Sequence, residues 1–299
     1  MSRDKWRREL PLHIMIIPSA ILVLIYSYGP MLGICIAFQK FIPARGFTGS
    51  KFVGLDNFRY IFSMPDIFQV LWNTVFIALL KLVTMLVVPV LFALLLNELT
   101  HKRLKRGIQT IVYFPHFLSW VIFAGILIDI LSPSNGIINQ MIKALGFEPV
   151  YFLGDEKLFP YTMVLTNIWK EFGFGAVVYL ASLTGIDPIL YEASIVDGAG
   201  RWKQTLHITL PGIVPMIVLM TVLSLGDVLN AGFDQIFNLY SPQVYSTGDI
   251  IDTLVYRLGL RDAQFGPATA VGLLKSVVSL VFISTSYILA DKVARYRIF

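Results

Sequence analysis

Long apolar runs alternate with short polar stretches along the whole chain. A helix rises about 1.5 Å per residue, so about 20 apolar residues are needed to cross a bilayer's hydrocarbon core. Six runs reach that length, at residues 12–38, 68–96, 108–131, 161–183, 207–231 and 267–290. The pattern predicts an all-α polytopic membrane protein with six transmembrane helices. In the second run, Pro89 removes a backbone donor and is the predicted kink point. The first run follows Arg3, Lys5, Arg7 and Arg8, as in a secretion signal. It is too long for one and no Ala-x-Ala site follows, so it reads as an uncleaved span. The connections near 41–66, 132–160 and 232–266 hold many of the Gly, Pro and Asn residues and predict short helices and turns. The chain divides into residues 1–66, with the head, first span and first outer loop, and residues 67–299, a core of five spans with an inner connection at 184–211.

Composition agrees with a membrane class. Of 299 residues, 56% are hydrophobic and 14% charged, and the mean hydropathy is +0.71. Soluble domains are about a quarter charged, so this chain lacks the charge to cover a water-facing surface. Disorder, an ordinary soluble enzyme and a disulfide-stapled fold are excluded, the last because Cys35 stands alone. The net charge is +5. With the N-terminus in the cytoplasm, 13 of the 24 Lys and Arg fall on inner segments, eight on outer loops and three within spans. Lys102, Arg103, Lys105 and Arg106 form the densest inner group. This bias predicts a cell-membrane protein with both termini cytoplasmic. The basic excess is then a topology signal and not a nucleic-acid footprint.

Catalytic motifs are missing. No Gly-x-x-x-x-Gly-Lys-Ser/Thr loop is present to cradle a nucleotide, and Gly173-Phe174-Gly175 is too short for a dinucleotide fingerprint. No Cys/His cluster indicates a metal, and the four histidines are scattered. The inner connection 184–211 is the most patterned polar stretch. Asp187 fits a helix N-cap and Pro188 the first helical position. Ile186 and Tyr191 occupy the positions of a hydrophobic staple. A helix over 188–196 should end at Asp197-Gly198-Ala199-Gly200, and a second should run from Arg201 past Leu210-Pro211 into the fifth span. Such a helix would lie across the inner face. Ala193 and Ser194 would allow close approach there, and Glu192 and Asp197 would offer charge to a basic partner.

These residues resemble the signature of binding-protein-dependent ABC importer permeases: Glu-Ala-Ala, three residues, Gly, nine residues, Ile-x-Leu-Pro. Here Glu192-Ala193-Ser194, Gly198 and Ile208-Thr209-Leu210-Pro211 stand at that spacing. Ser194 replaces the second alanine. Leu95-Leu96-Asn97-Glu98 and Tyr113-Phe114-Pro115 are similar to the carbohydrate branch. The short outer loops look more like oligosaccharide and polysaccharide permeases than like the maltose permease with its large periplasmic insertion. The resemblance implies a type I importer permease fold whose coupling helix enters a cleft on a cytoplasmic ATPase, through Glu192, Ala193, Ser194, Asp197, Gly198, Ala199, Gly200 and Arg201. It also implies a second homologous permease, two copies of the ATPase carrying ATP and Mg, and an extracytoplasmic solute-binding protein. The chain itself would hold no cofactor and perform no covalent chemistry.

Ionisable groups within spans are costly and tend to face a cavity or one another. Asn73, Ile77 and Lys81 share one helical face. Asn167 neighbours Lys170 and Glu171 on the fourth span, and Asp227 neighbours Asn230 on the fifth. Asn73, Lys81, Asn167, Lys170, Glu171, Asp227 and Asn230 are therefore candidates to line a polar pathway for a polyhydroxylated solute. Trp169, Phe172, Phe174 and Tyr179 are candidate stacking faces. The bland alternative pairs Lys81, Lys170 and Lys275 with Glu171, Asp227 or Asp129 to hold the bundle. Free lysines along the pathway would favour an acidic sugar. Lys81 and Glu171 also leave open an ion- or proton-coupled secondary transporter, which would need a midplane site and often two repeats. No repeat is visible.

Overall fold

Helices take up most of the described residues, as the apolar runs require. The computed structural model describes the backbone of residues 3–226 and 229–294 and the side chains of residues 10–226 and 229–285. Helix α1 (Arg3–Val23) continues through a π turn (Leu24–Tyr28) into a 3₁₀ stretch (Gly29–Phe38). Two short strands, β1 (Gln39–Lys40) and β2 (Lys51–Phe52), pair antiparallel around α2 (Gly46–Gly49). Next come α3 (Asp56–Phe62), α4 (Ile67–Asn97), α5 (Lys102–Tyr113), α6 (Trp120–Leu131), α7 (Ile137–Ala144) and α8 (Phe159–Leu183). The remainder is α9 (Pro188–Val196), α10 (Arg201–Gln204), α11 (Leu210–Gly226), α12 (Phe233–Leu239), α13 (Tyr245–Gly248), α14 (Ile251–Tyr256) and α15 (Phe265–Ala294).

Among the described residues, four helical stretches are singly long and apolar enough to cross a membrane: Leu10–Phe38, Ile67–Asn97, Arg201–Gly226 and Phe265–Thr285. Two more are bent pairs, Lys102–Phe117 with Trp120–Leu131 at 107° and Phe159–Leu183 with Pro188–Val196 at 73°. With each pair counted once, up to six spans are long and apolar enough among the described residues. The third span, at 108–131 in the sequence, is sharply bent. Pro115 lacks an N–H, the chain tightens into a 3₁₀ turn over Phe114–Phe117, and Leu118 is extended. Ser119 then starts α6, its hydroxyl accepting from the Ile122 N–H at 3.3 Å. The described part of α11 runs to Gly226, and Gly232, at φ +91°, precedes the separate α12. α4 runs unbroken through Pro89.

Contacts divide the chain into two units. One comprises Met1–Met64 and Val255–Leu274. Within it the Asn57 amide donates to the carbonyls of Ala37 and Gln39, at 2.8 and 3.0 Å. Gly266 lies so close to Gln39 that a Cβ would come 2.7 Å from that carbonyl. The other comprises Pro65–Leu254 and Lys275–Phe299 and carries the candidate site. In it, α4 and α8 run side by side. One apolar layer joins Ile77, Phe123, Leu127, Phe159, Met163 and Ile236. A second joins Val90, Ala93, Ala176, Tyr179, Leu183 and Ile213. Between lipid-facing helices, close packing replaces the hydrophobic drive, so small residues sit at the crossings. A Cβ on Gly173 would lie 2.5 Å from the Val112 carbonyl oxygen, and one on Gly175 would lie 3.4 Å from the Pro89 ring.

Candidate functional site

The 184–211 connection folds as its residues predict. The Asp187 carboxylate accepts from the Ile189 N–H at 2.9 Å, and Pro188 occupies the first turn of α9. At the far end the Gly198 N–H bonds the Ile195 carbonyl at 3.0 Å and the Ala199 N–H bonds the Ser194 carbonyl at 2.9 Å. These are the two bonds of a Schellman stop, which needs a left-handed residue. Gly198 supplies it at φ +72°.

No residue of α9 is buried. Ile189, Ile195, Val196 and, beyond the turn, Trp202 stand in the open, Val196 at 88% exposure. Glu192, Ala193, Asp197, Gly198, Gly200 and Arg201 are exposed beside them, and Ala199 is half-buried. Apolar side chains on a polar connection, rimmed by charge, form a surface suited to a protein partner. Ser194 does not belong to that surface. It is half-buried and turned toward Gln204, whose amide donates to its hydroxyl at 2.9 Å. Arg201 reaches Glu98, at the end of α4, at 3.6 Å.

The polar residues within the spans form two groups. In the first, Asn73 and Lys81 are buried on one face of α4 and hold the segment that returns after the fifth span. The Asn73 amide donates to the carbonyls of Ser246 and Asp249, both at 3.1 Å. The Lys81 ammonium donates to the Ala231 carbonyl at 2.6 Å and to the Gln235 side-chain oxygen. Gln235 is fully buried and passes the contact on, donating to the Met163 carbonyl and the Thr166 hydroxyl at 2.8 and 2.7 Å. Three helices, α4, α8 and α12, thus meet on two side chains. Lys81 has none of the acidic partners proposed for it among the described residues.

The second group lies at the elbow of the third span. Lys170 donates to the His116 carbonyl at 2.9 Å and to Glu171 at 3.0 Å. Glu171 also meets the His116 ring nitrogen at 2.6 Å. That ring stacks on Phe174 at 3.9 Å, and the Lys170 ammonium sits 5.2 Å from the Trp120 ring centre. Sequence reasoning missed His116 because it counted histidines singly. Its one clue was a polar side chain within Phe-Pro-His-Phe. Asn167, one turn earlier on α8, is half-buried and makes no side-chain hydrogen bond among the described residues. Asn230 is exposed and accepts from the Gly232 N–H at 3.3 Å. Asp227 lies outside the described residues. Lys275 pairs with Asp252, at 2.6 and 2.7 Å, and not with Asp129, which is exposed. Of the proposed stacking faces, Trp169 packs on Phe123, Phe172 packs on Phe92, and Tyr179 is buried in the second apolar layer.

Residues 85–295 match the family described as binding-protein-dependent transport system inner membrane component. The polygalacturonan/rhamnogalacturonan transport system permease protein YteP of Bacillus subtilis is 42% identical over 281 residues, spanning 94% of this chain and 88% of the relative. A crystal structure of a bacterial ABC transporter involved in import of the acidic polysaccharide alginate contains a chain with TM-score 0.89 and 40% identity, covering 97% of this chain and 98% of that one. A second structure, that alginate transporter in complex with an alginate pentasaccharide-bound periplasmic protein, has TM-score 0.89 and 39% identity, with 97% of each chain covered.

Proposed function

The chain belongs to the binding-protein-dependent transport system inner membrane component family, and on that premise we propose that it is one permease of an ATP-driven importer for an oligosaccharide. The observation that carries the reading is α9: a capped helix with no buried residue, bearing Glu192-Ala193 and stopped at Gly198, at the family's spacing. It docks in a cytoplasmic ATPase, with Glu192, Ala193, Asp197, Gly198, Ala199, Gly200 and Arg201 at or beside the contact and Ser194 behind it. Two copies of that ATPase bind the ATP and Mg. Both termini are cytoplasmic, lipid surrounds the spans, and a second homologous permease completes the pathway. The extracytoplasmic solute-binding protein delivers the sugar. The relatives' printed substrates, polygalacturonan/rhamnogalacturonan and alginate, support an oligosaccharide derived from a polysaccharide.

Within the membrane, the sugar passes the elbow of the third span. Asn167, with unused hydrogen-bonding capacity, and the half-buried Glu171 and His116 offer partners for hydroxyls, while Lys170 braces Glu171 from behind. Asn73 and Lys81 shape the pathway indirectly, by fastening the returning segment that follows Asp227 and Asn230. The test is uptake into proteoliposomes with both permeases, the ATPase and the binding protein. Uptake should require ATP hydrolysis, and its persistence with a hydrolysis-dead ATPase would refute the assignment. Asn167→Ala should alter the rate or preference for sugars with little effect on assembly.

A further inference from the structure

A helix with no buried residue, joined to the spans by turns at both ends, would swing when pushed unless something fixes its angle. Three contacts do so, and they pair residues in reverse order along two antiparallel arms. Ile186 lies over Gly212, where a Cβ would come 2.7 Å from its Cδ1. The Tyr191 hydroxyl meets the buried Thr209 hydroxyl at 3.0 Å. The Gln204 amide donates to the Ser194 hydroxyl at 2.9 Å and reaches the Ala199 carbonyl at 3.5 Å. Ser194 spends its own proton on the Tyr191 carbonyl, at 2.8 Å, which leaves its lone pairs to receive Gln204.

The backbone is adapted to this clasp. Tyr191 and Ser194 are three apart on α9 and so share a face. Gln204 and Thr209 are five apart, and in an α-helix they would point about 140° away from each other. Residues Thr205–Thr209 form a π turn, whose bonds span five residues and bring such positions nearer alignment. The unusual turn thus sets both side chains against the one face of α9 that is not open.

We propose that Gln204 is a positioning residue for transport: through Ser194 it locks α9 to the base of the fifth span, so that movement imposed on α9 passes into that span. The inference rests on the coupling role proposed above for α9. Ser194, which stands where the family signature has alanine, is then the receiving half of a clasp and not a docking residue.

The test is a double-mutant cycle of Gln204→Ala and Ser194→Ala in the reconstituted complex. The readout is sugar accumulated per ATP hydrolysed, with ATPase co-purification measured alongside. One lost hydrogen bond corresponds to about a fivefold change in an equilibrium, so a fall of about fivefold in that ratio is expected for Gln204→Ala, with the ATPase still bound. The double variant should be no worse than either single one. An unchanged ratio in Gln204→Ala, losses that multiply in the double variant, or loss of the ATPase from Gln204→Ala would each overturn the proposal. Failure of the coupling reading itself would look different: Glu192→Lys would then support normal ATP-driven uptake.

Discussion

Gln235→Leu tests whether Lys81 is held as a structural cation. Leucine fits an apolar site of similar size, so the effect is mainly the loss of polar contacts. Two of the three cost little. The Thr166 hydroxyl keeps its own bond to the Thr162 carbonyl at 2.7 Å, and the Met163 carbonyl lies within the continuous helix α8. The third is different, because the buried Lys81, 7% exposed, is left with the Ala231 carbonyl alone among the described residues. A hydrogen bond to a charged group contributes about 1.5–3 kcal/mol, and side-chain bonds between membrane helices sit at the low end of such values. A loss of about 1.5 kcal/mol is therefore expected, or a fall of about 3 °C or more in the unfolding midpoint of the purified permease in detergent. Replacing both partners removes the orphaned charge, so Lys81→Met with Gln235→Leu should recover most of the loss. A midpoint unchanged in Gln235→Leu, or a double variant no more stable than that single one, would refute the reasoning. Near-normal uptake by the double variant would place Lys81 behind the pathway.

Other sites make sharper mechanical predictions. Gly198→Leu forces a side chain into a left-handed conformation at a cost of about 1–2 kcal/mol, and Glu192→Lys reverses charge on the open face of α9. Both should insert normally yet lose ATPase co-purification, and normal uptake by both would remove α9 as the coupling element. Gly173→Leu places a side chain against the Val112 backbone, and overpacking of this kind costs about 1–3 kcal/mol. It should lower the unfolding midpoint, whereas Gly107→Leu, with open space around it, should not. Asp252→Asn leaves Lys275 without its carboxylate and should cost about 1 kcal/mol, read as a midpoint drop that Lys275→Met largely reverses.

The amount of this fold legible in the sequence follows from the range of the forces involved. Span number and position depend on summed hydropathy over about 20 residues, which neighbours barely alter, and five of the six runs became single helical stretches or the main part of one. The 188–196 helix was equally legible, because Asp187, Pro188 and Gly198 act through their own backbone within a few residues. The bend of the third span lay between these scales. Pro115 marks where a helix is weakened, but the 107° turn depends on the later helices against which α5 and α6 pack. Likewise the sequence shows an apolar fifth run followed by glycine, yet only the fold shows α12 being pinned by Lys81.

The polar residues within the spans were the hardest to place, for a physical reason. A sequence argument matches charge with charge along one helical wheel, whereas a long side chain in a dry interior takes any strong acceptor within reach. Lys81 takes a carbonyl and an amide oxygen contributed from residues 231–235. Lys170 and Glu171, adjacent in sequence and so about 100° apart on the helix, still meet because flexible side chains bridge that angle. This bears on the cargo. Free lysines would have offered fixed positive charge to an acidic sugar, but Lys81, Lys170 and Lys275 each already hold an acceptor. Each ammonium has a third N–H, so a sugar carboxylate could reach one only by sharing it with the acceptors it already holds. Recognition along this subunit should therefore fall first on polar side chains with no acceptor or donor to share, Asn167 foremost among the described residues, and on sugar hydroxyls before sugar charge. On that argument, Asn167→Ala should discriminate between sugars by hydroxyl pattern, and esterifying the carboxylates of an acidic substrate should change its passage through this subunit less than removing a hydroxyl does.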